Sequence, residues 1–295
     1  MAGNHANSNS RGQGWAAGAG MAFPASIVVL LVVVVPILML FRYSFNRFDA
    51  AQMTAAFTLD NYVKFFADPY YRHVFFTTFG IAALCTVLAL ALGFPVAYFL
   101  ARTQSRFKSL LIILLVFPLL VGNVVRAAGW MVILGNAGVV NSILRGLHLI
   151  HDPIRLLYTP SAVVVGTTAV VLPYFVLSLQ SVLEGIDFSV EEAAQNLGAG
   201  FFTSFRRIVL PIAAPGVAAG TVLVFILCMN AYATPVLLGG TGLTMMAPAL
   251  YDQITKGSNW PFGSAIALVL VCATLVMALL SNWLIHRRYI RTMAS

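Results

Sequence analysis

One stretch between two apolar runs, residues 189–211, has the residue types and spacing of a protein-recognition element. Its sequence is SVEEAAQNLGAGFFTSFRRIVLP, and apolar side chains recur in it at i, i+3, i+4 and i+7 on one helical face. These side chains are Val190, Ala193, Ala194 and Leu197. Ser189 and Glu192 have the spacing of a capping box, and Gly198 is placed to end the helix. A narrow stripe of small residues fits a shallow groove on another protein, so the chemistry expected here is recognition.

Residues for catalysis or nucleotide binding are not found in a recognisable arrangement. The lysines at 64, 108 and 256 lack the glycine-rich pattern that precedes a P-loop lysine, so ATP would have to be hydrolysed by a partner. The five histidines have no metal-ligand spacing, and the three cysteines lie inside apolar runs, where they are expected as core residues. We therefore expect no enzyme activity, no metal and no cofactor in this chain.

Polar side chains inside the fourth apolar run form a second group of candidates. Tyr174, Ser178 and Ser181 share one helical face with Thr167. That face would line a translocation path or would make hydrogen bonds between helices, and the spacing is compatible with both.

The fifth apolar run is interrupted by the polar sequence Asn-Ala-Tyr-Ala-Thr-Pro at 230–235. Pro235 frees a carbonyl one turn earlier, and broken membrane helices face a cavity or protein. Asn230, Tyr232 and Pro235 are therefore predicted to form a gate or path wall, with a simple helix end before Gly239 as the alternative. In the third run, Arg126 is expected to extend its side chain to the outer membrane interface. The alternative is that it contacts a substrate or a binding protein.

The composition is that of an integral membrane protein. Of its 295 residues, 60% are hydrophobic and 9% are charged, against about 25% charged in soluble domains. Long continuous apolar runs favour helices over the alternating strands of a barrel. The net charge of +8 is scattered over the ends of these runs without a nucleic-acid-binding signature, so membrane lipid rather than nucleic acid is the expected contact.

The apolar runs predict an all-α protein with six transmembrane helices inside a domain at 23–285. The predicted spans are about 23–41, 74–100, 110–134, 158–183, 211–238 and 262–285, with a long loop at 184–208. Residues 1–22 are predicted to be a disordered tail, and 286–295 a basic tail. Six spans place both termini and the 184–208 loop on one side. A slight excess of Arg and Lys favours the cytoplasm for that side.

The 189–211 stretch resembles the EAA loop of ABC-importer permeases. The resemblance is carried by Glu192, Ala193, Ala194, Gly198, Ile208, Leu210 and Pro211. It implies a cytoplasmic coupling loop that docks into a cleft of an ATP-hydrolysing subunit. We add Val190, Leu197, Arg206 and Arg207 to this expected docking surface.

Further stretches resemble the spermidine/putrescine-type permeases. They include RAAGW at 126–130, LPY at 172–174 and PVLLGG at 235–240. The resemblance implies a type I importer permease fold in a bacterial inner membrane, with both termini cytoplasmic. It also implies an ATP-binding cassette ATPase dimer that binds ATP and Mg, a periplasmic binding protein, and a second homologous permease, expected to be a different chain.

A polyamine is the expected solute, with iron, sulfate, thiamine or a phosphonate as alternatives within the same architecture. The spans offer aromatic residues but almost no acids to a polycation. An ATP-independent secondary transporter or channel is the alternative of another class. It would need intramembrane carboxylates or an inverted repeat, and neither is evident in the sequence.

Overall fold

The apolar runs form helices because a backbone in lipid must satisfy its hydrogen bonds internally. The computed structural model describes residues 9–49, 52–187 and 189–293. Its first elements are α1 (Asn9–Ser44), the antiparallel hairpin β1 (Arg47–Asp49) and β2 (Gln52–Thr54), α2 (Asp60–Ala67), α3 (Pro69–Arg102), α4 (Lys108–Leu120), α5 (Asn123–Leu134), α6 (Val139–Gly146) and α7 (Pro160–Glu184). The remaining elements are α8 (Ser189–Asn196), α9 (Phe201–Ser204), a π-helical turn (Phe205–Val209), α10 (Leu210–Met229), α11 (Ala233–Gly239), a 3-10 turn (Gly240–Gly242), α12 (Met246–Thr255) and α13 (Trp260–Met293).

Six helical segments of the described chain are long and apolar enough to cross a membrane, which confirms the predicted all-α class. They are Ile27–Ser44, Pro69–Arg102, Asn123–Gly146, Pro160–Glu184, Phe201–Met229 and Trp260–Ser281. The pair α11 and α12 adds a segment that is bent by 87° and would make a seventh span if counted as one. The spacing of apolar residues in the sequence does not indicate this bend.

The third predicted span, 110–134, is not one helix in the structure. The chain leaves the helix after Leu120 and resumes it at Asn123. Pro118, in the last turn of α4, has no N–H to donate to the carbonyl four residues earlier. At the break, the N–H of Val121 donates to the carbonyl of Pro118, three residues earlier, at 3.2 Å. Gly122 then takes an extended conformation before α5 begins.

Both ends of the chain are more helical than the sequence indicates. Helix α1 begins at Asn9, so residues 9–22 of the tail predicted to be disordered are helical, and residues 1–8 lie outside the described part. Helix α13 likewise continues past 285 to Met293 in the predicted basic tail. A helix already nucleated by an apolar span can extend one turn at a time without a new nucleation cost.

The core lies between α3, α7 and α10, where small residues let the helices approach closely. A methyl group added at Gly93 of α3 would lie 2.6 Å from Cδ1 of Phe175, and one at Gly216 of α10 would lie 2.6 Å from Cγ1 of Val182. Helix α1 packs against α13, and its apolar stretch from Ile27 is almost wholly exposed to the lipid region. Helices α3, α7 and α10 therefore form the centre of the fold, and α1 lies at its periphery.

Candidate functional site

Helix α8 begins at the position expected from the sequence but is capped differently. Ser189 is already its first residue, and the backbone N–H of Ser189 donates to Oδ1 of Asp187 at 2.9 Å. This hydrogen bond holds the pKa of the Asp187 carboxyl below its usual value. The hydrogen bond at this end thus comes from Asp187 rather than from the predicted capping box of Ser189 and Glu192.

The end of α8 confirms the predicted role of Gly198. Its φ is +89°, in the left-handed region, and its N–H donates to the carbonyl of Gln195 at 2.9 Å. The next N–H, of Ala199, donates to the carbonyl of Ala194 at 3.0 Å, which completes a Schellman motif. No atom lies within 4 Å of a Cβ built at Gly198, so the backbone conformation rather than space requires glycine here.

The predicted stripe of α8 faces away from the helix bundle. Val190 is 42% exposed and Leu197 is 90% exposed, and Glu192 and Ala193 are also exposed. Ala194 lies at the edge of this surface with intermediate exposure. We call the surface formed by Val190, Ala193, Ala194 and Leu197 the α8 stripe, and Glu192 is exposed on a different face of the helix. An apolar stripe without a partner in its own chain has the character of a binding surface for another protein.

The opposite side of α8 carries a residue that the sequence analysis did not single out. Glu191 is 2% exposed and pairs with the guanidinium of Arg102, the last residue of α3. The hydroxyl of Tyr98, one turn earlier on α3, donates to the other carboxylate oxygen of Glu191 at 2.7 Å. The only hint in the sequence is that Arg102 ends an apolar span, because no local spacing links residues so far apart.

The rest of the 189–211 stretch reaches α10 through α9 and the π-helical turn. Arg206, Arg207 and Pro211 are exposed, Leu210 is 38% exposed and Ile208 is partly buried. The ring of Phe205 lies 5.3 Å from that of Phe94 and 5.7 Å from that of Tyr98, measured between centroids. The aromatic side therefore anchors this segment to α3, while most of the predicted docking residues remain on the surface.

A cavity of about 410 Å³, lined by both apolar and neutral polar residues, lies where α5, α7, α10 and α11 meet. It brings together the predicted residues Tyr174, Asn230 and Tyr232, and Thr167 of the same helical face as Tyr174. Asn123 and Thr234, which the sequence analysis did not place on the path, also line it. Its volume is within the range of small-molecule sites, and none of the described residues that line it is charged.

The interruption of the fifth apolar run is present and forms part of this cavity. Helix α10 ends at Met229, and α11 begins at Ala233. The side-chain amide of Asn230 donates to the carbonyl of Ile226 at 2.8 Å, and the backbone N–H of Asn230 donates to the same carbonyl at 3.2 Å. Pro235 falls in the first turn of α11, where its missing N–H leaves no partner unsatisfied.

Other residues predicted for the path lie elsewhere. Ser178 is at the contact between α7 and α10, where its Oγ would lie 3.6 Å from a Cβ at Gly220. Ser181 is exposed on the last turns of α7, and Pro235 is buried. Arg126 donates a hydrogen bond to Oδ1 of Asn123, which itself lines the cavity. The structure thus places Arg126 next to the cavity residues rather than among them.

A bundle of apolar spans with a cavity between them and an exposed helix on a loop is compatible with a membrane transport subunit. The family model described as binding-protein-dependent transport system inner membrane component matches residues 86–288. The chain therefore belongs to this family and is a multi-pass permease subunit of an ABC importer.

Individual relatives and a solved structure agree with this family. The spermidine/putrescine transport system permease protein PotB of Escherichia coli K12 is 36% identical over 247 residues, which cover 83% of this chain and 88% of that protein. The PotB protein of Haemophilus influenzae is 32% identical over 261 residues, covering 86% and 90%. A bacterial alginate ABC transporter, solved in complex with an alginate-bound periplasmic protein, has the same fold with a TM-score of 0.79 at 17% identity. The match covers 97% of this chain and 99% of that chain.

Proposed function

We propose that this permease imports a polyamine across a bacterial inner membrane and is driven by a separate ATPase that binds the α8 stripe. The substrate class is supported by the 36% identity, over most of the chain, to permeases named for spermidine and putrescine. The observation that carries the coupling role is the exposure of the α8 stripe on a helix whose opposite face is fixed to the bundle. ATP and Mg are bound by the ATPase dimer in this proposal.

The surface around the α8 stripe has the chemistry of a docking site. Val190 and Leu197 offer apolar area, while Glu192, Arg206 and Arg207 offer charges at its rim.

Helices α3 and α13 begin side by side, where Tyr71 contacts Phe262, and α3 ends at α8, where Arg102 pairs with Glu191. Helix α13 therefore also runs toward the α8 side, where its last described residue, Met293, lies. The proposal places this side, and with it both termini, in the cytoplasm.

The cavity is proposed as a section of the translocation path. It offers the faces and hydroxyls of Tyr174 and Tyr232 and the amides of Asn123 and Asn230. Aromatic faces attract ammonium groups, and neutral polar groups can replace part of their water shell. The absence of acids among the described lining residues would keep a polycation from being held too tightly for transport.

A second permease is proposed to complete the path by covering α4 and α5. No residue of α4 is fully buried within the described chain, and its exposed side chains include Leu110, Leu114 and Phe117. The adjoining α5 contributes Asn123 to the cavity wall, so a chain packed there would enclose the path. We propose that this partner is a homologous but different permease, and that a periplasmic binding protein delivers the solute on the side opposite α8.

Reconstitution tests the proposal. The chain is co-expressed with an ATPase, a second permease and a binding protein from the same organism, and the purified complex is placed in liposomes. We expect ATP-dependent uptake of radiolabelled spermidine that excess putrescine suppresses and that sulfate, thiamine, iron or a phosphonate leaves unchanged. Suppression by one of these four solutes, without any by putrescine, would refute the polyamine assignment. Isolation of the chain without an ATPase would refute the coupling role.

A further inference from the structure

Helix α3 is joined to α8 at one end and to the cavity region at the other. At the α8 end, Glu191 is held by two residues of α3, because Arg102 pairs with one carboxylate oxygen and Tyr98 donates to the other. A second amino group of Arg102 donates to the carbonyl of Ile186, just after α7, at 3.0 Å. Two contacts to one buried carboxylate fix both the position and the rotation of α8 relative to α3.

The opposite end of α3 is joined to α12 by two hydrogen bonds. The backbone N–H of Met246 donates to the buried hydroxyl of Thr78 at 2.8 Å, and that hydroxyl donates to the carbonyl of Val74, also at 2.8 Å. The side-chain amide of Gln253 donates to the hydroxyl of Tyr71 at 3.0 Å. Helix α12 is therefore held to α3 at both of its ends.

Helix α12 in turn contacts a residue that lines the cavity. The ring of Tyr251 lies 5.0 Å from the ring of Tyr232, which lines the cavity. Both attachments lie on α3, one continuous helix of 34 residues that is about 50 Å long at 1.5 Å per residue. A continuous chain of contacts thus runs from α8 through α3 and α12 to the cavity wall.

We infer that α3 is the lever that transmits movement of α8 to the cavity, with Glu191, Arg102 and Tyr98 as its positioning joint. The inference rests on the proposed function, in which the ATPase binds the α8 stripe. The joint lies on the buried side of α8, whereas the stripe lies on the exposed side. Loss of the joint should therefore disconnect the cavity from the ATPase without removing the ATPase from the complex.

The test follows the cavity directly and needs no knowledge of the transported solute. A cysteine is introduced as Asn230→Cys in a background with Cys85, Cys228 and Cys272 replaced by alanine. Its reaction rate with a membrane-impermeant maleimide is measured on the purified complex, with and without trapping by ATP and vanadate. The variants are Glu191→Gln and the milder Tyr98→Phe, which keeps the ring and removes one hydrogen bond.

Lys108→Gln is the matched control, because it removes an ion pair on the same side of the bundle that does not involve α8. Nζ of Lys108 lies 2.8 Å from Oε1 of Glu184 and joins α4 to α7. In the unaltered joint and in the control, nucleotide trapping should change the labelling rate. In Glu191→Gln the ratio of the labelling rates with and without trapping should be roughly one, the value for zero coupling between two sites. The ratio in Tyr98→Phe should lie between that value and the ratio in the unaltered complex.

Two results would overturn the inference. One is a nucleotide effect in both joint variants that equals the effect in Lys108→Gln. The other is loss of the ATPase from the complex in Tyr98→Phe, because the joint would then belong to the docking surface itself. If the complex with the unaltered joint does not bind an ATPase, the proposed function is refuted, and the inference about α3, which rests on it, is refuted as well.

Discussion

Two neighbouring glutamates of α8 have different surroundings. Glu191 is buried against Arg102 and Tyr98, whereas Glu192 is exposed. The sequence identified only Glu192, because the resemblance to the EAA loop falls on it and the partner of Glu191 is 89 residues away. A local pattern predicts which helix forms, but a buried charge and its partner become visible only when the helices pack.

The two glutamates should therefore differ in what their loss affects. Glu191→Gln removes the ion pair with Arg102, and breaking a buried pair costs about 3–5 kcal/mol. We expect a clear drop in the thermal unfolding temperature of the purified complex. Glu192→Gln should leave that temperature unchanged and weaken retention of the ATPase. Equal unfolding temperatures for the two variants would contradict the buried pair.

Gly198 and Gly200 provide a second comparison within the same loop. Neither has an atom within 4 Å of a built Cβ, but only Gly198 has a positive φ, since Gly200 is at −66°. Gly198→Ala should cost about 1–2 kcal/mol because alanine is strained in the left-handed region. The fraction of ATPase retained on purification should fall, whereas Gly200→Ala should retain it. Full retention by both variants would show that the helix end does not position the α8 stripe.

At the scale of elements, the interruption at 230–232 was predictable and the one at 121–122 was not. Asn230 and Pro235 stand out in the fifth run as polar and helix-breaking residues. In the third run the break at Val121 and Gly122 lies between Pro118 and Asn123, within a stretch that the sequence analysis predicted to be one span. Hydropathy identifies the membrane segment, but the tolerance of a broken backbone depends on which neighbouring helices satisfy its open groups.

The cavity gives a prediction at the same scale. Tyr232→Ala removes an aromatic face from the cavity, and a cation–π contact contributes about 0.5–2 kcal/mol. Uptake of spermidine by the reconstituted complex should therefore fall by about twofold to roughly thirtyfold. Ser181→Ala, on the exposed last turns of α7, is the control and should transport normally. A loss in Ser181→Ala that matches the loss in Tyr232→Ala would move the path away from this cavity.

For the whole molecule, composition and apolar runs were enough to predict the membrane class and the number of long apolar helical segments, but not the bounds of the third and fifth. They did not predict the bend between α11 and α12, which depends on contacts of α12 with α3 that are distant in sequence. The residues of α7 that were predicted to line the path also have different surroundings, because Tyr174 lines the cavity while Ser178 packs against α10. Two residues one turn apart on the same helical face can therefore have different roles, one lining a cavity and the other packing against a neighbouring helix.

The central claim is that the α8 stripe binds an ATPase, and site-specific photo-crosslinking tests it most directly. A photoreactive amino acid is placed at Leu197, which is 90% exposed in the stripe, and in a control at Phe57, which is 79% exposed after the hairpin at the other end of the bundle. We predict that irradiation of the assembled complex joins the ATPase to the chain from position 197 and not from position 57. An ATPase adduct from position 57, with none from position 197, would contradict the account.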